Sequence, residues 1–593
     1  MTEPKGPLRV ARVKSRWRRA DGTWGDCESR LLRRSWREGT KVKHHTVASL
    51  TDLPDEQVDA LEAVLNHGAR PAGAGAAAPG VRVGAGLRHG DVAAIWAEAA
   101  KLGLPGLLGP AGRMRDIVLA LVTARLAHPA SKAATLDWLR DTTLGQDLGL
   151  GDLATDDAYA AMDWLASRQD QIEAALAKRH LADPAANPGR LALFDLTSTW
   201  MEGHCCPWSR FGYSRDRKRG KQQIEFALVT NPDGVPVALR VFDGNTSDPE
   251  ACETAVEDLA EKFAMDRAVL VGDRGMVTNT RIADIKGHAG MGWIGALKHA
   301  QIRALAADQG PLQMSLFDEE ALAEIADDAY PGERLIACRN PLTAERQAAK
   351  RERLVAATLA DLDQIGARVE AGRLKDEKAI ALAVGKVIGK HKVAKLVSVE
   401  IGKGLLKHGR NREAIEAEAA LDGVYVVRTS LSEDEMGRDD VVRSYKRGSR
   451  VEQDFASIKG DDIEVRPVWH YRADRVVSHL LICMLASYLS WHLRRVWAPL
   501  TFMDECPEAL PHPVAPRERS EQADAKAHTR RDADGEPLRP FREVLQHLSL
   551  MQRVVVEVAT GAGTVRYTRT TEATPLQARA FALIGAPVPH TLG

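Results

Sequence analysis

The sequence predicts an α/β protein of several domains, on three observations. "LALFDLTSTW" (191–200) and "AVLVGDRGM" (268–276) are strand-length apolar runs that stop on Asp195 and Asp273. Around them short strand-like runs mix with a helix, the rhythm of an α/β layer. At 593 residues the chain is also far too long for one core.

Taken in order, residues 1–67 predict a basic, β-rich N-terminal module. Asp21-Gly22 is a hairpin-type dipeptide, and "REGTK" at 37–41 makes a second turn. Residues 68–89 are Gly/Ala/Pro-rich ("ARPAGAGAAAPGVRVGAG") and read as a flexible linker. Residues 90–189 predict a helical domain, because "DVAAIWAEAAKLG", "MRDIVLALVTARLA" and "AYAAMDWLASRQDQIEAALAKRHL" repeat apolar residues every three or four positions.

From 190 to 299 the period changes. "RLALFDLT", "QIEFALVT" and "VPVALRVFDG" read as strands parted by polar breaks such as "NPDG". The helix "PEACETAVEDLAEKFA", the strand before Asp273 and the strand "GWIGALK" follow. Residues 300–420 interrupt the layer with a charged helix and the strands "RLIACRN" and "KLVSVEIGKG", an α+β insertion. At 421–504 the layer resumes with "VYVVRTS" and the helical segment "VVRSYKRGSRVEQDFASIKG". Residues 505–593 open polar and Pro-rich, predicting a loop and a small C-terminal segment.

Charge is balanced overall, 81 Lys+Arg against 81 Asp+Glu, but not locally. Residues 1–45 carry thirteen Lys/Arg against five acids, and "WSRFGYSRDRKRGK" (208–221) carries six against one. Such blocks suit polyanion contact on particular surfaces, or simply solvated charged faces. The seven cysteines form no CxxC pair, which predicts reduced cytosolic thiols and no structural zinc. The N-terminus has no apolar signal core, and His479 and His492 interrupt the most apolar stretch, "VVSHLLICMLASYLSWHLRRVW". That stretch predicts a buried helix, and the expected location is the cytoplasm, without membrane.

The chemistry gathers at strand ends, where loops open into a crevice. Were the Asp195 and Asp273 strands neighbours, their carboxylates would face each other across ~5 Å. Two anions that close repel unless a cation lies between them, and Mg²⁺ suits an open site of one or two carboxylates with waters. Either Asp alone is equally explained by a turn or cap. A third acid, Glu452, lies seven residues from both Tyr445 and Lys459, a spacing that aligns all three on one helix face unless Gly448 breaks the helix. Tyr445 and Lys459 would then touch nucleic-acid backbone on either side.

Together these residues resemble the DDE transposases of bacterial insertion sequences. The nearer branch has an RNase H-like catalytic domain split by an insertion before its last acid, and a motif of Tyr, two residues, Arg, three residues, Glu, six residues, Lys. Tyr445, Glu452 and Lys459 fit that motif, while Gly448 stands in the Arg place between Arg447 and Arg450. "SWREGTKVKHHTVASL", "GNTSDPE", "PGERLIACRNP" and "LDGVYVVRTS" resemble the same branch in the same order.

The resemblance implies an RNase H-like catalytic domain in two parts, 190–299 and 421–504. It implies phosphoryl transfer on DNA by two Mg²⁺ (or Mn²⁺) ions on Asp195, Asp273 and Glu452. Double-stranded DNA, as terminal inverted repeats and as target, would be the partner, held by a homodimer in a synaptic complex near the nucleoid. Arg215, Arg217, Lys218, Arg219, Lys221 and Arg274, with Tyr445 and Lys459, would position phosphates. End recognition would fall to the N-terminal module and the helical domain. Two alternatives stay open: an RNase H-like nuclease without strand transfer, and a catalytically silent DNA-binding relative. No nucleotide-binding GxxxxGK[ST] is present, "GKVIGK" at 385–390 being one residue short.

Overall fold

The computed structural model describes residues 8–592 except 19–23, 39–40, 52, 67–79, 186, 204, 217, 264–266, 276, 278, 289, 308–309, 319, 461, 508–511, 515–518 and 561–562. Its centre is one eight-stranded mixed sheet. The strand order is Leu322–Ile325, Arg334–Arg339, Val424–Thr429, Met291–Ala296, Ala268–Val271, Leu191–Trp200, Gln223–Thr230, Pro236–Asp243. The three strands from Leu191 to Asp243 form an antiparallel meander, and Ala268–Val271 and Met291–Ala296 run parallel to its first strand. Ala268–Val271 is buried throughout and Met291–Ala296 from its second residue on, which is why their sequence is continuously apolar rather than alternating.

One expectation fails at the centre. The Leu191 strand does not finish on Asp195 but continues through "LTSTW", rich in β-branched Thr, paired with Gln223–Thr230 as far as Trp200. Asp195 therefore sits mid-strand. Leu322–Ile325 and Arg334–Arg339, within the 300–420 segment expected to interrupt the layer, belong to the sheet itself. The excursion proper is the helix Pro341–Glu370 packed on Glu377–His391 and on the hairpin Val397–Gly402/Leu405–Arg410. It has small cores of its own, around Leu362 and Ile380 and around Val355 and Leu396.

Helices Gly90–Lys101, Arg113–Ala127 and Thr155–Ala166 pack around Ala473–Val496. That last helix is long and apolar enough to cross a membrane by length and composition, but 83% of its apolar window is buried within the fold. It seats the helical body on the sheet, touching both Pro236–Asp243 and the helix Ser449–Lys459.

The three N-terminal strands, Leu8–Arg18, Trp24–Glu38 and Lys41–Ser49, form an antiparallel sheet over Val10, Leu50 and Val58. The Asp21-Gly22 turn lies outside the described residues.

The ends of the chain depart most from expectation. Val81–Val83 and Leu87–Arg88, within the expected linker, pair with the C-terminal strand Gln552–Thr560, itself in a hairpin with Gly563–Thr570. Helices Phe541–Ser549 and Pro575–Ile584 pack on Gly90–Lys101, and Trp497 donates its indole N–H to the Ala580 carbonyl. Arg553, buried, pairs with Asp147 at 2.5 Å. The C-terminal segment is thus packed on the rest of the chain: its apolar residues, Phe581 and Ile584 among them, complete the main core. Phe581→Ala should therefore cost ~3–5 kcal/mol and lower the thermal midpoint of the whole chain by several degrees. An unchanged midpoint in calorimetry would show the tail to be dispensable.

Candidate active site

Register places the first two carboxylates. In the parallel pair, Leu191 lies beside Val269 and Leu193 beside Val271. Two residues further along the chain stand Asp195, still within its strand, and Asp273, two residues past the end of its own. The Asp273 strand stops at Val271, where Gly272 N–H bonds the Ile294 carbonyl, and the Asp273 side chain accepts the Gly275 N–H at 2.8 Å. The Asp195 strand runs on alone on that flank.

The space so left is covered by the helix Ser449–Lys459, which packs on the Leu191 strand. Asp195 and Thr197 share a strand face, and Phe226 lies directly opposite Thr197. Phe455 meets Phe226 edge-on at 5.6 Å, and Lys459 donates to the Thr197 hydroxyl and to Asp216 at 3.1 Å. Stepping back from Lys459 by two helical turns reaches Glu452, and stepping back two strand residues from Thr197 reaches Asp195. Glu452 is exposed and acts electrostatically on Asp195, as Asp273 does.

Burial first, and then the negative charges of Asp273 and Glu452, push the Asp195 carboxyl up to about 7 from its ordinary 3.8. The Leu196 N–H, at 2.8 Å, and the Arg215 guanidinium oppose this without cancelling it. Three acids thus share one field. Among the described residues no three His, Cys, Asp or Glu side chains close around a single point as a metal cage.

Tyr445 and Glu452 do not share one helix. Arg438–Arg447 and Ser449–Lys459 meet at Gly448, whose φ of −52° and ψ of −30° stay helical. Gly448 N–H bonds Tyr445 and Val451 N–H bonds Gly448, both three residues back, which tightens the turn. Half-buried Tyr445 still faces the acids: burial raises its hydroxyl's pKa, Arg274 opposes, and Asp273 and Glu452 add to it.

The basic residues divide. Lys459 does not reach outward; its ammonium is buried against Asp216, which also holds Arg466 at 2.6 Å. Arg215 lies 3.8 Å from buried Glu225 and bonds Ser198 through its backbone N–H. Lys218 and Arg466 lie over the Trp200 ring, at 5.1 and 4.7 Å. Lys221 pairs with Glu202 at 2.5 Å, and Arg219 and Arg274 are exposed. Arg217 lies outside the described residues. Trp293 is core, with Arg428 over its ring. Sequence reasoning missed Thr197, Asp216 and Arg466, the groups that anchor the Glu452 helix. Thr197, two residues beyond Asp195 on one strand, was the only signal available.

A family model described as the transposase DDE domain matches residues 187–489, just over half of the chain. The chain belongs to that family. The transposase match begins just before the Asp195 strand and ends within the apolar helix, so it spans Asp195, Asp273 and Glu452. No curated protein matches the chain. A solved structure of a piggyBac transposase synaptic complex with hairpin DNA is similar at a TM-score of 0.32 and 9% identity, over 78% of this chain and 76% of that one, a likeness too slight to argue from.

Two outcomes follow from the site's electrostatics. Below about pH 4 Asp195 is protonated in folded and unfolded chains alike; between about 4 and about 7 only the unfolded chain ionises, so stability falls as pH rises. With chelator present, Asp195→Asn should raise the thermal midpoint at about pH 8 and leave it unchanged at about pH 3.5. Equal midpoints at both would contradict this environment. Asp216→Ala leaves Lys459 and Arg466 without their shared anion, and should cost ~3–5 kcal/mol in denaturant titration.

Proposed function

We propose that this DDE transposase cuts and joins DNA at the ends of its own element, through metal-dependent phosphoryl transfer at Asp195, Asp273 and Glu452. The observation that carries the proposal is the register of the two parallel strands, pairing Leu193 with Val271 two residues before Asp195 and Asp273, together with the charges of Asp273 and Glu452 acting on Asp195. The strand order supports an RNase H-like core. Numbering its five strands along the chain, they lie third, second, first, fourth, fifth across the sheet, the first three antiparallel.

The donor set fits a hard divalent cation. All three groups are carboxylates, and burial together with the charges of Asp273 and Glu452 raises the pKa of Asp195, a setting that a cation would relieve. The open arrangement suits Mg²⁺, which keeps waters and takes phosphate oxygens in preference to a closed protein cage. When bound, the metal supplies activation of the attacking oxygen and stabilisation of the leaving one. The chain's own residues do the positioning. Lys459 and Phe455 fix the helix that bears Glu452, the Leu196 N–H orients Asp195, and Arg215 tempers its charge. Arg219, Lys218 and Arg274 lie at the surface where backbone phosphates would pass. Two chains would hold two DNA ends, in the cytoplasm.

The test is cleavage of a labelled duplex carrying the inverted repeats that flank the gene. Asp195→Ala, Asp273→Ala and Glu452→Ala should each lower metal-dependent cutting by ~10²–10³ or more while DNA binding persists. A joined product with target DNA separates transposition from simple nuclease action. Cutting that survives Glu452→Ala would remove Glu452 from the site.

A further inference from the structure

We propose that the sheet end beyond Trp200 is a platform for unpaired DNA, on which bases stack while flanking cations follow the backbone. The inference rests on the proposed function only for the identity of the polyanion. Four aromatic side chains stand out of the fold there: Trp469 at 64% exposure, Tyr471 at 60%, Phe211 at 67% and Tyr213 at 86%. They are far apart in sequence, yet one ladder joins them. Val468 bridges Met201 in parallel, Met201 N–H bonds the Gln222 carbonyl, and Gln223 bridges Arg210 in antiparallel fashion. Trp469 and Tyr471 thus flank one side of a strip, and Phe211 and Tyr213 the other, across three strand spacings or ~14 Å.

Their exposure is built in. Gly212 presses against the Gly244 carbonyl so closely that any Cβ would collide with it, and this contact seats the Phe211–Tyr213 loop. Gln223 donates to both the Tyr213 and Gly244 carbonyls, at 3.1 and 2.8 Å. Exposed cations border the strip: Lys218 and Arg219 on the loop, and beside Tyr471 Arg472, which is also paired with Asp474. Trp200 below them is already covered by Lys218 and Arg466. Solvent-facing aromatic rings interleaved with Lys and Arg are what unpaired strands require, because every base has a face to stack and every phosphate a charge to neutralise.

Location fits this use. Trp200 is five strand residues from Asp195, ~16 Å, so the bases held would lie a few nucleotides from the phosphate at the acids. The face has the charge to hold a nucleic acid, which favours that occupant over a second copy of the chain.

The test uses the full chain and a labelled oligothymidine of about fifteen nucleotides, followed by fluorescence anisotropy at about 50 and about 200 mM salt. Trp469→Ala/Tyr471→Ala and Phe211→Ala/Tyr213→Ala should each weaken binding about tenfold or more, with an unchanged salt slope, because no charge is removed. Trp469→Phe/Tyr471→Phe keeps the rings and should restore most of the affinity, which a merely structural role would not predict. Oligothymidine binding equal to wild type in both alanine variants overturns the proposal. So does an equal loss on a fully paired duplex, or a change of oligomeric mass with oligothymidine binding intact, which would mark a protein contact. Failure of the wild type to cut duplex ends would count against the proposed function alone, since the oligothymidine assay involves no cleavage.

Discussion

The parallel pairing of the Leu191 and Ala268 strands, with Asp195 still in its strand and Asp273 just past the end of the other, is the constraint on which the rest of this structure depends. Strand pairing fixes the approach of the two chain segments, Leu191 beside Val269 and Leu193 beside Val271, two residues before each acid. Like charges so placed are unfavourable, and burial makes Asp195 worse. The arrangement is stable only within a sheet buried on both sides and braced elsewhere. The resemblance of the fold to a layered α/β domain is thus a consequence of what the site demands: rigid strands, a flank left open, and a separate element to cover it.

That element arrives from far along the chain, and its anchoring is chemical as well as apolar. Lys459 is desolvated against Asp216, which lies in the basic loop between the first two strands, and Arg466 closes the same ion cluster. Burial lowers the Lys459 pKa while Asp216 holds it up. A charged cluster of this kind adds little net stability but leaves few alternative seatings for the helix. Phe455 on Phe226 supplies the apolar half of the same anchor. The apolar helix Ala473–Val496 then ties this assembly to the helical body, which the C-terminal residues complete.

Much of this was legible in the sequence, and the reasons differ by element. The strands around Asp195 and Asp273 announced themselves because parallel strands buried on both faces read as unbroken apolar runs. The buried helix was legible because His479 and His492 interrupt it. What failed depended on partners distant in sequence. Nothing local says that "LTSTW" keeps an antiparallel partner after its parallel one has ended, so Asp195 was expected at a strand end. Leu322–Ile325 and Arg334–Arg339 look like part of an insertion until the sheet claims them. Val81–Val83 and the tail looked like linker and loop because each completes the other. The pairing of Lys459 with Asp216 was not foreseen because Asp216 sits in a run that otherwise reads as purely basic.

The most direct measurement of the central claim is a Mn²⁺ titration of the full chain, with free ion followed by electron paramagnetic resonance. If Asp195 and Asp273 jointly face a divalent ion, saturable binding should be present in the wild type and lost in both Asp195→Asn and Asp273→Asn. It should also weaken about tenfold per pH unit below about 7, as protons compete for Asp195. Binding that survives both substitutions, or that ignores pH through this range, would contradict the account.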